Sequence, residues 1–250
     1  MMIKNRKTQL LLLLLMIMGL SLALPISAEE HKTVTDMLGR NVEVPLSIER
    51  VIAIDDGFVE GIMYRLGIQD RIVALGAPCC RTDFNYSFET VDGRSYEFKN
   101  GMNPVKYLIP ELVELPVLVE GATAVNYETL ASLEPDVVFL REGSWAFSAG
   151  SDEKIEKTIA SIESLGIPLI VLVGPPFQEQ PTVDRIGDEI RLVGEVFSRE
   201  EDAGDIASYL ESQIDEIRKR TKDIPEDEKV RMMQLGLSPR AREGGGAGMA

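Results

Sequence analysis

Four short apolar runs, each separated from the next by sequence of another character, constrain the fold of this chain more than any other feature. They are RVIAI (50–54), RIVAL (71–75), DVVFL (136–140) and PLIVLV (168–173). Helical spacing marks two of the stretches between them. Phe58, Ile62 and Leu66 share a face ahead of Gly67, and Ile155, Ile159, Ile162 and Leu165 share another, opened by Ser151 and closed by Gly166. Strands this short and this uniformly apolar are buried on both faces, which predicts an α/β fold with a parallel sheet between layers of helix. Ligands of such sheets bind beyond the carboxyl ends of the strands. The loops after Ile54, Leu75, Leu140 and Val173 are therefore the candidate site.

Residues 78–116 interrupt the alternation. Asp92-Gly93 sits between β-prone arms in YSFETVDGRSYEF, the signal of a tight hairpin, so this is an ordered insertion at a strand's carboxyl end. After Pro181 a helical tract carries Val183, Ile186, Ile190, Val193 and Phe197 on one face. Ser198 with Glu201 reads as a capping box that starts a second helix bearing Ile206, Leu210, Ile214 and Ile217. KVRMMQLGL (229–237) reads as one further strand. A single strand after a single helix leaves apolar faces without partners, so a second domain is expected to be incomplete here.

The first segment has Lys4, Arg6 and Lys7 ahead of an apolar run from Leu10 to Leu24 and small residues ending at Ala28, the pattern of a secretory signal peptide over 1–28. An uncleaved anchor over 10–28 is the competing reading. Removing the leader's three cations takes the formal charge from −15 to −18. Such a surface repels nucleic acid and anionic headgroups. Enzyme motifs are missing: there is no G-x-S-x-G elbow, no Walker loop and no histidine placed for a triad, His31 being the only one. The expectation is a binding protein without catalysis and without a cofactor, with an α/β enzyme as the rival.

Several residues fall at the strand ends. Asp55 and Asp56 close the first strand and open a helix, one as its N-cap and the other toward a cleft. Cys79 and Cys80 are adjacent after the second strand. Two free thiols, a strained vicinal bridge and ligation of a soft metal all remain open for them. Arg81 follows, and Tyr86, Arg94 and Tyr96 of the hairpin either line a ligand's path or form a plain edge surface. Glu142, Ser144 and Trp145 lie on the rim after the strand ending at Leu140, where the tryptophan either stacks on a planar ligand or caps the core. Asn126 reads as the N-cap of a short helix that buries Tyr127, Leu130 and Leu133, which turns Glu128 outward.

The order of parts resembles a known family. TVTDMLGRNVEVPLSIERVIAID, NYETLASLEPDVVFL, SLGIPLIVL and IRLVGEVFSREEDAGDIASYLESQIDEI are similar to the substrate-binding proteins of ABC importers for iron complexes, haem and cobalamin. The resemblance implies two α/β lobes joined by one rigid helix, with the ligand in the cleft between them. On that pattern the first lobe is 29–178 with the insertion at 78–116, the joining helix is 179–198, and 199–250 begins a truncated second lobe. It further implies an exported monomer that captures a metal chelate (ferric siderophore, haem or corrinoid) and docks on the permease through Glu128. Members that hold a bare ion tend to use cleft histidines, absent here, which favours a chelated metal. A membrane-tethered surface protein that binds such a complex without an importer is the alternative.

Overall fold

The computed structural model describes residues 30–90, 92–120, 124–143, 152–174 and 182–229. The leader, Ser144, Trp145 and Ser151 lie outside them, as does the strand read at 229–237 from Val230 onward. The elements run β1 (His31–Thr35), β2 (Asn41–Pro45), β3 (Val51–Ile54), α1 (Phe58–Arg65), β4 (Ile72–Leu75), β5 (Asp83–Glu89), β6 (Ser95–Met102), α2 (Pro104–Leu108), β7 (Val119–Glu120), β8 (Ala124–Val125), α3 (Tyr127–Ser132), β9 (Val137–Glu142), α4 (Asp152–Ser164), β10 (Leu169–Val173), α5 (Arg185–Val196) and α6 (Glu200–Thr221).

All four apolar runs are strands of one parallel sheet, ordered β10-β9-β3-β4. Their side chains alternate between two buried layers. Val51, Ala53, Val137, Phe139, Ile170 and Leu172 belong to one, with α1, α5 and the first turns of α6. Ile52, Ile54, Val138, Leu140, Leu169 and Val171 belong to the other, with Leu130 of α3 and Ile155 and Ile162 of α4. Burial on both sides is why these strands carry no polar alternation. The β1–β2 hairpin packs against the first layer through Val34 and Val44.

The helix ends depart from the expected pattern in three places. Leu165 is exposed, because α4 stops at Ser164 and Gly166, at φ +74°, turns the chain away. Val183 is exposed because α5 begins only at Arg185. The Ser198–Glu201 capping box does not form. Ser198 sits at φ +53° and closes α5: its N–H donates to the Glu195 carbonyl (3.1 Å) and that of Arg199 to the Gly194 carbonyl (2.8 Å). The Ser198 hydroxyl accepts from Lys32 Nζ (2.6 Å), and α6 starts at Glu200 with no side-chain cap.

Over the expected joining segment, 179–198, the described helix is α5. Ile190, Val193 and Val196 of α5 are core residues, and α6 packs along α5 with Arg191–Glu211 (2.7 Å) and Arg218–Asp184 (2.8 Å) pairs. Only Ala203 and Ala207 of α6 are buried, and no residue from 208 to 229 is. At 1.5 Å per residue this 22-residue helix is about 33 Å long.

The insertion is the β5–β6 hairpin, turned at Thr90–Arg94 with Gly93 at φ +80°. A two-stranded hairpin is marginal by itself. Here a run of stacked rings crosses the strands: Tyr86 on Phe98 (4.9 Å), Phe98 on Phe88 (5.9 Å) and Phe88 on Tyr96 (5.4 Å). Each such pair contributes ~0.5–1.5 kcal/mol beyond its burial. Tyr86 and Tyr96 thus each give a ring face to a phenylalanine, and Arg94 pairs with Asp92 (2.7 Å) in the turn.

Candidate functional site

The site is built at the carboxyl ends of β3, β4 and β9. Beyond Ile54 the chain must turn sharply into α1, and Gly57 at φ +110° provides the turn. Asp55 then folds over the start of the helix. Its Oδ1 accepts from the backbone N–H of Gly57 and of Phe58 (3.1 Å), and its Oδ2 accepts from that of Val59 (2.8 Å). Asp55 is fully buried. The N-cap position belongs to Gly57 and to neither aspartate; Asp55 caps from two residues before it, its carboxylate occupied by three N–H groups and closed to solvent. Asp56 is half-buried beside it, and its carbonyl accepts from Asn103 Nδ2 (2.7 Å), which ties the end of the insertion to the site.

Glu60 was not anticipated. An acid in the first turn of a helix is ordinarily exposed, yet this one lies three residues before Met63 on the buried side and is fully buried. Neither carboxyl oxygen has a hydrogen-bond partner. Burial, then the charge of Asp55, push Glu60 well above the ordinary carboxylate value of 4.5. Burial also lifts Asp55, against the pull of its hydrogen bonds. With three N–H donors on Asp55 and none on Glu60, Asp55 is the ionised member and Glu60 the protonated one.

This has a consequence for stability. The folded chain holds the Glu60 proton to a higher pH than the unfolded chain, so its contribution is complete below pH 4.5 and is lost as pH rises toward the folded value. Glu60→Gln removes the titration and keeps the size. In thermal melts the variant should match the parent at pH 4 and exceed it at pH 8, the gap widening with pH; parallel curves would contradict a buried neutral Glu60.

After β4, Gly76 and Ala77 lead into a 3-10 turn over Pro78–Cys80. Both cysteines are free. Cys80 is buried in the first core layer and Cys79 is half-buried against it. A hydrogen bond from Cys80 lowers Cys79 against the effects of burial and of Asp56 and Asp55, and the same bond, with burial, raises Cys80. Arg81 is exposed and reaches the Leu115 carbonyl (3.4 Å).

On β9, Arg141 and Glu142 end the strand, Glu142 half-buried. Arg141, also unanticipated, makes two bonds to the buried Glu189 of α5 (2.5 and 3.0 Å), and its guanidinium lies 4.2 Å from the centre of the Phe58 ring. This pair fastens α5 to the strand ends. Its sequence signal was an arginine closing an apolar strand on the ligand side. Among the described residues no three His, Cys, Asp or Glu side chains are placed to hold a metal ion as they stand.

A parallel layer with its acids and thiols gathered at the strand ends, and a long helix running beyond its core, is the first lobe of a two-lobed binding protein. Comparison with known proteins agrees. The chain belongs to the periplasmic binding protein family, whose model matches residues 52–245. The molybdate-binding protein MolA of Haemophilus influenzae is 23% identical over 223 residues, which are 84% of this chain and 55% of MolA. Among solved structures, a periplasmic solute-binding protein of Veillonella parvula superposes with a TM-score of 0.57 at 21% identity, over 79% of this chain and 50% of that one. Molybdate-bound MolA superposes with a TM-score of 0.54 at 21% identity, over 80% of this chain and 56% of that one. The chain therefore spans about half the length of the relatives it matches.

Proposed function

We propose that this chain belongs to the ligand-capturing component of an ABC importer, working outside the cytoplasmic membrane and taking up a metal chelate. Family membership supports the importer role. Among the described residues no helix is long and apolar enough to cross a membrane. In this reading α6, rather than 179–198, is the rigid joining helix, because it is the element that runs beyond the core.

The chelate reading is carried by Asp55. The N-terminus of a helix is a ready anion site. At α1 those N–H groups already bind the protein's own carboxylate, and Asp56 and Glu142 add further acids at the same rim. An oxyanion such as molybdate would meet repulsion there in place of donors. A ligand with a metal-centred or neutral surface would not.

The test is a thermal-shift panel on the protein with a ferric siderophore, haem, a corrinoid and sodium molybdate. A ligand at 100 times its Kd stabilises by about 2.7 kcal/mol, which for a protein of this size is roughly 5–10 °C. One of the chelates should produce such a shift and molybdate none. A shift with molybdate alone would overturn the chelate reading. Glu128 on α3 is assigned the contact with the permease.

A further inference from the structure

The β5–β6 insertion has no part in that reading, yet it leaves apolar surface open to solvent. Period-two alternation gives one face of the hairpin five aromatic side chains, Phe84, Tyr86, Phe88, Tyr96 and Phe98, and gives the polar ones to the other face. All but Phe88 are exposed. A bare aromatic face of this kind marks an interaction site.

Four of the rings form one column, in the order Tyr96, Phe88, Phe98, Tyr86, with successive planes 11–22° apart. Rings stacked in this way cover one another's faces, so solvent meets edges along the column and a ring face only at its ends. The Tyr96 end lies by the turn; the Tyr86 end lies toward the root of the hairpin. Beyond Tyr86 the register shifts, and the next cross-strand pair is Phe84 with Gly101. Glycine puts no side chain where the column would go on, and among the described residues no further ring stacks on Tyr86. Tyr86 is also the most exposed ring of the column, at 48%.

The open end is continuous with the candidate site. At the root Asp83 pairs with Met102 and accepts from Lys106 Nζ (2.6 Å), and the next residue, Asn103, donates to the Asp56 carbonyl (2.7 Å). Tyr86 stands three strand residues from Asp83, about 10 Å. A second copy of the chain fits this face poorly, because each copy carries a formal charge of −15 and one ring face with a row of edges falls short of the ~800 Å² per partner of a stable interface. A flat ligand group needs no more than the ring face. We propose that a flat conjugated ring of the captured chelate, a catechol or a porphyrin, stacks on Tyr86 and continues the column past Gly101. The inference rests on the chelate reading and narrows it to ligands that carry such a ring.

The test is titration of the full chain with ferric haem, a ferric tris-catecholate siderophore and a ring-free ferric trihydroxamate siderophore. One of the two ring-bearing chelates should bind, and which one does identifies the ring. Tyr86→Ser should weaken that chelate about tenfold, and Tyr86→Phe, which keeps the ring face, should not. Nitration of the unaltered chain by tetranitromethane, mapped by mass spectrometry, covers the case of a serine variant whose hairpin does not form: the bound chelate should protect Tyr86 and leave Tyr96 and the exposed Tyr107 reactive. A ring-bearing chelate that binds without protecting Tyr86, or binding by the trihydroxamate alone, would overturn the stacking and leave the chelate reading standing. Failure of every chelate, the corrinoid included, would overturn both. Protection of Tyr86 that follows protein concentration in place of chelate would assign the face to a second copy and overturn the proposal as well.

Discussion

Gly76→Ala is expected to lower the melting temperature by roughly 6–12 °C. Gly76 follows β4 where that strand lies against the end of β3. A Cβ there would stand 2.2 Å from the Ala53 carbonyl oxygen, 2.6 Å from Ile54 Cα and 2.7 Å from the Asp55 nitrogen. All three are backbone atoms, two in the central strand β3 and one in the residue after it, so no side chain can swing aside. The strands must part at the point where Asp55, Cys79 and Cys80 are positioned. Overpacking a well-filled core costs about 1–3 kcal/mol and occasionally more, and a fixed backbone wall places this case at the upper end. Each kcal/mol is worth ~2–4 °C in a domain of this size.

Gly204→Ala is the natural control, with the opposite sign. Gly204 lies inside α6 and an added Cβ meets nothing within 4 Å. Alanine there should stabilise by about 0.5–1 kcal/mol. Paired melts of the two variants check both. A Gly76→Ala protein as stable as the parent would mean that β3 and β4 are not this close, and the strand-end geometry would have to be redrawn.

The parts of the fold that were legible in sequence are those where one local pattern has one physical cause. Val51–Ile54, Ile72–Leu75, Val137–Glu142 and Leu169–Val173 are apolar because both of their faces are covered. Asn126 was legible as a cap because its side chain does accept from the Thr129 N–H (3.0 Å). What escaped was decided by tertiary contacts. The β1–β2 hairpin buries mainly Val34, Val44 and the strand-end Pro45, too few apolar positions for alternation to register. Ser198 and Glu201 satisfy the spacing of a capping box, yet closing α5 and receiving Lys32 draws Ser198 out of the conformation a cap needs.

The site divides the same way. Strand polarity alone sets which loops lie at the carboxyl ends of the sheet. It does not set which side chains are spent on structure. Either Asp55 or Asp56 satisfies the sequence of an N-cap, yet the left-handed Gly57 takes that position and Asp55 reaches the helix's N–H groups from before it. Glu60 could not be seen as buried because its neighbours on the helix wheel are set by how α1 lies on the sheet. Arg141 and Glu189 are 48 residues apart, beyond any local periodicity.

Glu128→Arg should stop uptake in cells while leaving ligand affinity and stability nearly unchanged. Glu128 is exposed in the first turn of α3, on the side opposite the buried Leu130, and pairs with no described cation. An acid there also complements the helix dipole by ~0.3–1 kcal/mol, which would need no partner. The two roles differ in what reversal does. If the dipole were the whole reason, arginine would cost that fraction of a kcal/mol, about 1–3 °C for a protein of this size, and transport would continue. If Glu128 meets an arginine of the permease, reversal places like charges face to face in a docked interface, which costs several kcal/mol and prevents engagement. Glu128→Gln separates attraction from repulsion, because losing one exposed pair worth ~0.2–1 kcal/mol should slow uptake only a few-fold. Transport assays with labelled ligand, set beside ligand titrations of the purified variants, make the comparison. Normal uptake by Glu128→Arg would leave the dipole as the sole role for this residue.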